Sequence, residues 1–189
     1  ENYWNQDGEK VILFVGRLAE KKGVAFLIKA MKNIKAKLII IGTGPLEQNL
    51  KSLVLQYRLQ QKVIFVGAQN HEELRTAYAS ADIFAMPSVT ARDGDTEGFG
   101  LVLLEAMASE LPVVAFRTGG IVQIIRNEEN GLLAEPENIE ELTDCIQRLI
   151  DSPQLCRQLR EQALKDIQKY DYNNIGKIYA DIINGIVGK

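Results

Sequence analysis

The sequence predicts a doubly wound α/β domain: a roughly six-stranded parallel sheet with helices on both faces and extra helices at the carboxyl end. Three observations carry this. Short apolar, β-branched runs recur along the first two-thirds of the chain, as in strands buried on both faces. Stretches with helical apolar spacing separate them, and strands alternating with helices are joined by right-handed crossovers, which makes the strands parallel. The strand signal then stops, and three helical stretches follow.

Residues 11–15 (VILFV) form the first predicted strand, broken by Gly16 and Arg17. A helix over 23–33 follows, its apolar side built by Phe26, Leu27, Ala30 and Met31. Residues 38–41 (LIII) are the second strand, stopped by GTGP, with Pro45 suited to the first turn of a helix over 46–57. The third strand is 63–66, its helix 72–79; the fourth strand is 83–86, ended by Pro87 and Ser88. A polar loop over 89–97 leads to a helix over 99–109. Pro112 then opens the fifth strand, 113–116. Gly119 and Gly120 precede a short helix over 121–126, Asn130 and Gly131 make a turn, and 132–134 is the last strand. Helices are predicted over 139–150, 153–169 and 172–187. Residues 1–10, which open without Met, read as a linker at a fragment boundary. The whole of 1–189 reads as one domain.

At 189 residues and 46% hydrophobic, the chain can bury a core without metals or disulfides. A net charge of −3 gives no basic field for nucleic acid or an anionic membrane. Cys145 and Cys156 match no zinc or redox spacing and read as reduced thiols, which suits a cytoplasmic compartment. No apolar run reaches the ~20 residues of a membrane span, and no signal-peptide pattern opens the chain.

Ligands of such sheets sit at the carboxyl ends of the strands. The first of these loops, GRLAEKKG, places Arg17 and Lys22 before a helix. A guanidinium fork and a compact ammonium suit a diphosphate, although either alone reads as a solvated charge. In the second loop, Gly42 and Gly44 allow close approach of backbone to ligand, but Glu47 stands where a dinucleotide fingerprint needs its third glycine. The strongest signal is EGFGLVLLEAM. Gly98 and Gly100 lie at a helix amino end that attracts phosphate, Glu97 precedes it, and Glu105 interrupts an otherwise apolar helix. A carboxylate buried there needs partners such as ribose hydroxyls. Asp93 and Asp95 read as a polar loop rather than a metal site, and His71 as a capping or surface residue.

These motifs carry a resemblance. FVGRLAEKKG, IGTGPLE and above all EGFGLVLLEAMASELPVVAF, with GGIVQIIRNEENGLL beyond, make the chain similar over nearly its whole length to one domain of a large glycosyltransferase family. That domain is the C-terminal, donor-binding half of the retaining GT-B glycosyltransferases that include bacterial polysaccharide and lipopolysaccharide transferases. The loop PSVTARDGDTEG further looks like transferases of exopolysaccharide assembly. The resemblance implies that Arg17 and Lys22 hold the donor diphosphate and that Gly98, Phe99 and Gly100 contact phosphates or sugar through their backbone. It implies that Glu97 orients the transferred sugar, Glu105 binds the ribose, and main-chain groups near Ala68 and Gln69 read the base. Gln123 departs from the pattern, where an acidic residue is common. No metal or cofactor is implied. The substrate is a UDP- or GDP-linked sugar, and the partners are an N-terminal acceptor-binding domain, onto which the helix at 171–189 would dock, and a saccharide or lipid-linked acceptor. The fragment alone would bind donor but be inactive. Any contact with the inner face of a membrane would come through that other domain. Against this stands a nucleotide-binding or interaction module without transferase activity. The absent G-x-G-x-x-G counts against a dinucleotide oxidoreductase.

Overall fold

The computed structural model describes residues 8–170. Most of the linker predicted at 1–10, and the helix predicted at 171–189, lie outside them. Six strands form one all-parallel sheet: β1 (Lys10–Val15), β2 (Ala36–Ile41), β3 (Val63–Gly67), β4 (Ile83–Met86), β5 (Val113–Phe116) and β6 (Leu132–Ala134). Their order across the sheet is β3-β2-β1-β4-β5-β6. The helices are α1 (Val24–Ala30), α2 (Glu47–Gln56), α3 (His71–Ser80), α4 (Leu101–Ala108), α5 (Ile121–Ile124), α6 (Ile139–Asp151) and α7 (Pro153–Ile167). Short 3-10 turns add Glu20–Lys22 and Gln168–Tyr170.

Strand periodicity divides the core. Ile12, Phe14, Leu38, Ile40, Val114 and Phe116 face α1, α2 and α6. Their neighbours Val11, Leu13, Val15, Ile39, Phe84, Met86, Val113 and Ala115 face α3, α4, α5 and α7. Successive side chains of a strand point to opposite faces, so an unbroken apolar run is what two covered faces require. Phe14, Phe84 and Phe116 are wholly buried, each contributing about 2–3 kcal/mol of burial free energy.

Helix starts follow local chemistry. Asn70 caps α3 in a reciprocal box with Glu73. Ser152 caps α7, with Pro153 in its first turn. Two predicted starts move. Pro45 lies two residues ahead of α2, because the Leu46 N–H donates to the Leu18 carbonyl at 3.0 Å and ties this turn to the first loop. Helix α4 starts at Leu101 rather than at Phe99, because Gly100 takes a left-handed conformation at its cap. At the other end of the chain's described part, β1 includes Lys10, the last residue assigned to the linker.

The strand order decides where a site can form. The chain winds from β1 outward to β3, then returns to lay β4 on the other side of β1. The loops after β1 and β4 leave the sheet at this reversal and face each other, the position at which such sheets hold ligands.

Candidate functional site

The loops after β1 and β4 are joined directly. The Val89 N–H donates to the Lys21 carbonyl at 2.8 Å. Lys22, at the end of the first 3-10 turn, forms an ion pair with Glu97, the two side chains 14% and 12% exposed. The sequence predicted both residues at the site but assigned them to separate groups, phosphate and sugar. The fold brings them into contact.

Arg17 is exposed and lines an open cleft of about 630 Å³ at the carboxyl ends of β1, β2 and β3. Gly44, Ala68 and Gln69 line the same cleft, as does Leu74 of α3. Gly44 has a packing reason to be glycine: a Cβ there would lie 2.5 Å from the Leu18 carbonyl oxygen. Gln69 folds back, its Nε2 donating to the Ala68 carbonyl at 3.1 Å. One main-chain acceptor assigned to a base is therefore shared with the protein's own amide.

Gly98 and Phe99 are exposed, and Gly100 is buried at the amino end of α4. Gly119 and Gly120 back this segment, a contact the sequence reading did not identify. The Gly120 N–H donates to the Glu97 carbonyl at 3.0 Å, and a Cβ on Gly120 would sit 1.7 Å from the Gly98 carbonyl oxygen. No side chain larger than hydrogen fits between the two loops. Phe99 also meets Tyr170 edge-on, with ring centroids 5.5 Å apart.

Glu105 corrects one expectation. It is exposed, not buried in an apolar helix. Only Leu103, Ala106 and Met107 of α4 are fully buried, while Leu101 is 65% exposed. The carboxylate nevertheless has a partner, the Tyr78 hydroxyl, which donates to Oε2 at 2.8 Å. Burial, then the Glu105 carboxylate, push the Tyr78 phenol well above its ordinary pKa, so it remains a protonated donor. Nothing near position 78 in the sequence pointed to this pair, whose members lie on different helices.

His71 is exposed in the first turn of α3 beside the Asn70 cap. Asp93 Oδ1 accepts from the Asp95 N–H at 2.9 Å, and Asp95 pairs with Lys21, so this loop is braced from within and by the loop after β1. Asn130 is 1% exposed. Its amide donates to the Ile124 carbonyl and to Asp166 of α7, and its oxygen accepts from the Arg126 N–H.

The sequence model for glycosyl transferases group 1 matches residues 2–166. The chain belongs to that family. As a group 1 glycosyltransferase domain it is 40% identical over 177 residues to an uncharacterized glycosyltransferase of Methanocaldococcus jannaschii, covering 91% of this chain and 44% of that protein. It is 40% identical over 143 residues to the amylovoran biosynthesis glycosyltransferase of Erwinia amylovora, covering 73% of this chain and 35% of the relative. Among solved structures, the Anabaena protein HepE in complex with UDP superposes with a TM-score of 0.84 at 26% identity, over 94% of this chain and 49% of that one. The fold is thus that of one half of a GT-B glycosyltransferase. The chain spans less than half the length of these relatives. Among the described residues no helix is long and apolar enough to cross a membrane.

Proposed function

We propose that this domain binds the nucleoside diphosphate sugar of a retaining hexosyltransferase, and that an N-terminal domain supplies the saccharide or lipid-linked acceptor. The observation that carries the reading is convergence at the sheet's reversal point. Arg17, Lys22, Glu97 and the amino end of α4 stand on the loops after β1 and β4, beside an open cleft. In this reading the diphosphate lies between Arg17, Lys22 and the 98–100 backbone, which meet the negative charge that develops as the sugar leaves. Glu97 holds hydroxyls of that sugar, Glu105 holds the ribose, and the base lies toward Ala68 and Gln69. The sugar passes to an acceptor hydroxyl, and the nucleoside diphosphate departs. The bound UDP of the Anabaena protein supports a nucleoside diphosphate as ligand. The Erwinia relative, an amylovoran biosynthesis glycosyltransferase, supports a role in polysaccharide biosynthesis, which we assign to a cell-surface polymer. The reaction then takes place in the cytoplasm, with any contact to the inner face of the membrane made by the other domain.

Isothermal titration of the 189-residue chain with UDP, GDP, ADP and NAD in metal-free buffer tests this. The expected result is binding of one nucleoside diphosphate, weakened by Arg17→Ala and Glu105→Ala. NAD binding without UDP or GDP binding, or nucleotide binding indifferent to both substitutions, refutes the assignment.

A further inference from the structure

The ion pair of Lys22 and Glu97 explains how one carboxylate at the site is held. The hydrogen bond on Glu105 concerns the other carboxylate and a residue outside the loops at the strand ends. We propose that Tyr78 is a positioning residue that aims the Glu105 carboxylate at the ribose of the nucleotide and so sets ribose selectivity. The proposal rests on the donor-binding reading of the site.

The geometry has three parts. Tyr78 is 4% exposed and its ring packs against Phe84 of β4, with centroids 5.8 Å apart. The aromatic body is therefore fixed in the core between α3 and the sheet. Its one polar atom meets α4, donating to Glu105 Oε2 at 2.8 Å. Glu105 itself is exposed, so burial does not fix its rotamer, and its long side chain has conformational freedom to lose on binding. A donor anchored in the core removes part of that freedom beforehand, and preorganisation of this kind appears as affinity. Leu74 lies one turn before Tyr78 on α3 and lines the cleft. The tyrosine that holds the carboxylate therefore stands one helical turn from a residue of the cleft wall. A phenol is suited to this task because burial and the adjacent carboxylate keep it protonated. It can only donate to Glu105 and does not compete with it as a second anion.

The role separates from stability, because Glu105 is exposed and water can replace the lost donor in Tyr78→Phe. The experiment compares UDP and GDP with their 2′,3′-dideoxy analogues on the wild-type chain, Tyr78→Phe, Glu105→Gln and the double variant, with thermal melting alongside. The wild type is expected to prefer the ribonucleotide. Tyr78→Phe should lower that preference roughly tenfold, the range of a hydrogen bond to a charged group, with melting nearly unchanged and dideoxy affinity intact. In the Glu105→Gln background the second change should add little. Equal loss for ribo- and dideoxynucleotide, or an unchanged preference in Tyr78→Phe while Glu105→Gln abolishes it, overturns the positioning role and leaves the donor reading standing. A wild-type chain that does not distinguish the two sugars overturns the ribose role of Glu105, and this inference with it. If Tyr78→Phe melts early, the Glu105→Gln pair of measurements still decides, because a purely structural tyrosine lowers affinity equally in both backgrounds.

Discussion

The Lys22–Glu97 pair makes a prediction opposite in sign to a simple list of ligand contacts. If both residues only touched the donor, removing either would weaken nucleotide binding. In this fold each neutralises the other, with both side chains nearly nine-tenths buried. Exposed ion pairs contribute about 0–1 kcal/mol, and loss of one partner from a fully buried pair costs about 3–5 kcal/mol. A pair with a little over a tenth of each side chain exposed falls between, at about 2 kcal/mol. Glu97→Gln should therefore lower stability by about 1–2 kcal/mol, a fall of about 3–6 °C in Tm for a domain of this size. It should also release Lys22 to the diphosphate, tightening the bare nucleoside diphosphate about three- to tenfold, the range that about 0.7–1.4 kcal/mol provides. The nucleotide sugar should gain less, because Glu97 no longer holds its hydroxyls. Lys22→Met should weaken both and leave Glu97 unpaired. The double variant should lose less stability than the two single losses added together. Calorimetric titration with the nucleoside diphosphate and its sugar conjugate, with melting curves for all four proteins, measures every quantity. If Glu97→Gln weakens the bare nucleoside diphosphate as strongly as Lys22→Met does, the competition is wrong and Glu97 serves the nucleotide directly.

Three further outcomes follow from the same structure. Gly120→Ala puts a Cβ 1.7 Å from the Gly98 carbonyl oxygen. It should push apart the loops that carry the 98–100 segment, cost about 1–3 kcal/mol as overpacking does, and abolish nucleotide binding by titration; retained binding counts against a rigid two-loop cradle. For Asp166, burial acts to raise the pKa, but hydrogen bonds from Asn130, Gln162 and Arg126 together hold it below the ordinary carboxylate value. A depressed folded pKa adds stability above the unfolded value of ~3.9, lost as pH falls through the folded pKa; urea midpoints of wild type and Asp166→Asn should draw together as pH falls below the unfolded value, and a constant gap refutes the linkage. Burial pushes the Cys145 thiol up to about 11, so thiol-reactive dye should label it slowly in the folded chain at pH 8 and rapidly in urea; rapid native labelling shows that the face under α6 opens.

What was legible in the sequence, and what was not, follows from the range of the forces involved. The strands could be read because a strand covered on both faces needs an unbroken apolar run, and residues 11–15, 38–41 and 113–116 provide it without reference to the rest of the chain. The loops that carry the candidate residues could be read because strand ends and a glycine-flanked helix start are local features. Glu105 was read as lying within a helix, where it does lie, but its surroundings were misjudged. LVLLEAMA is apolar around most of its circumference, but α4 buries only the side that packs on β4, β5 and α7, so Leu101 and Glu105, one turn apart, both face outward. The contacts that organise the site could not be read at all. Glu97 meets a lysine 75 positions away and Glu105 a tyrosine 27 away, and Gly120 answers to the carbonyl of Gly98 in another loop. No spacing rule reaches those distances, because these contacts exist only after β4 has returned beside β1 and β5 has been laid beside β4. The same return gives these long-range contacts their consequence. The site is built from two loops that share an ion pair and a backbone hydrogen bond, so a ligand that draws on Lys22 also acts on Glu97. Charge on the diphosphate and grip on the sugar should therefore be coupled, and the coupling is read in the Glu97→Gln titration as the difference between the bare nucleotide and its sugar.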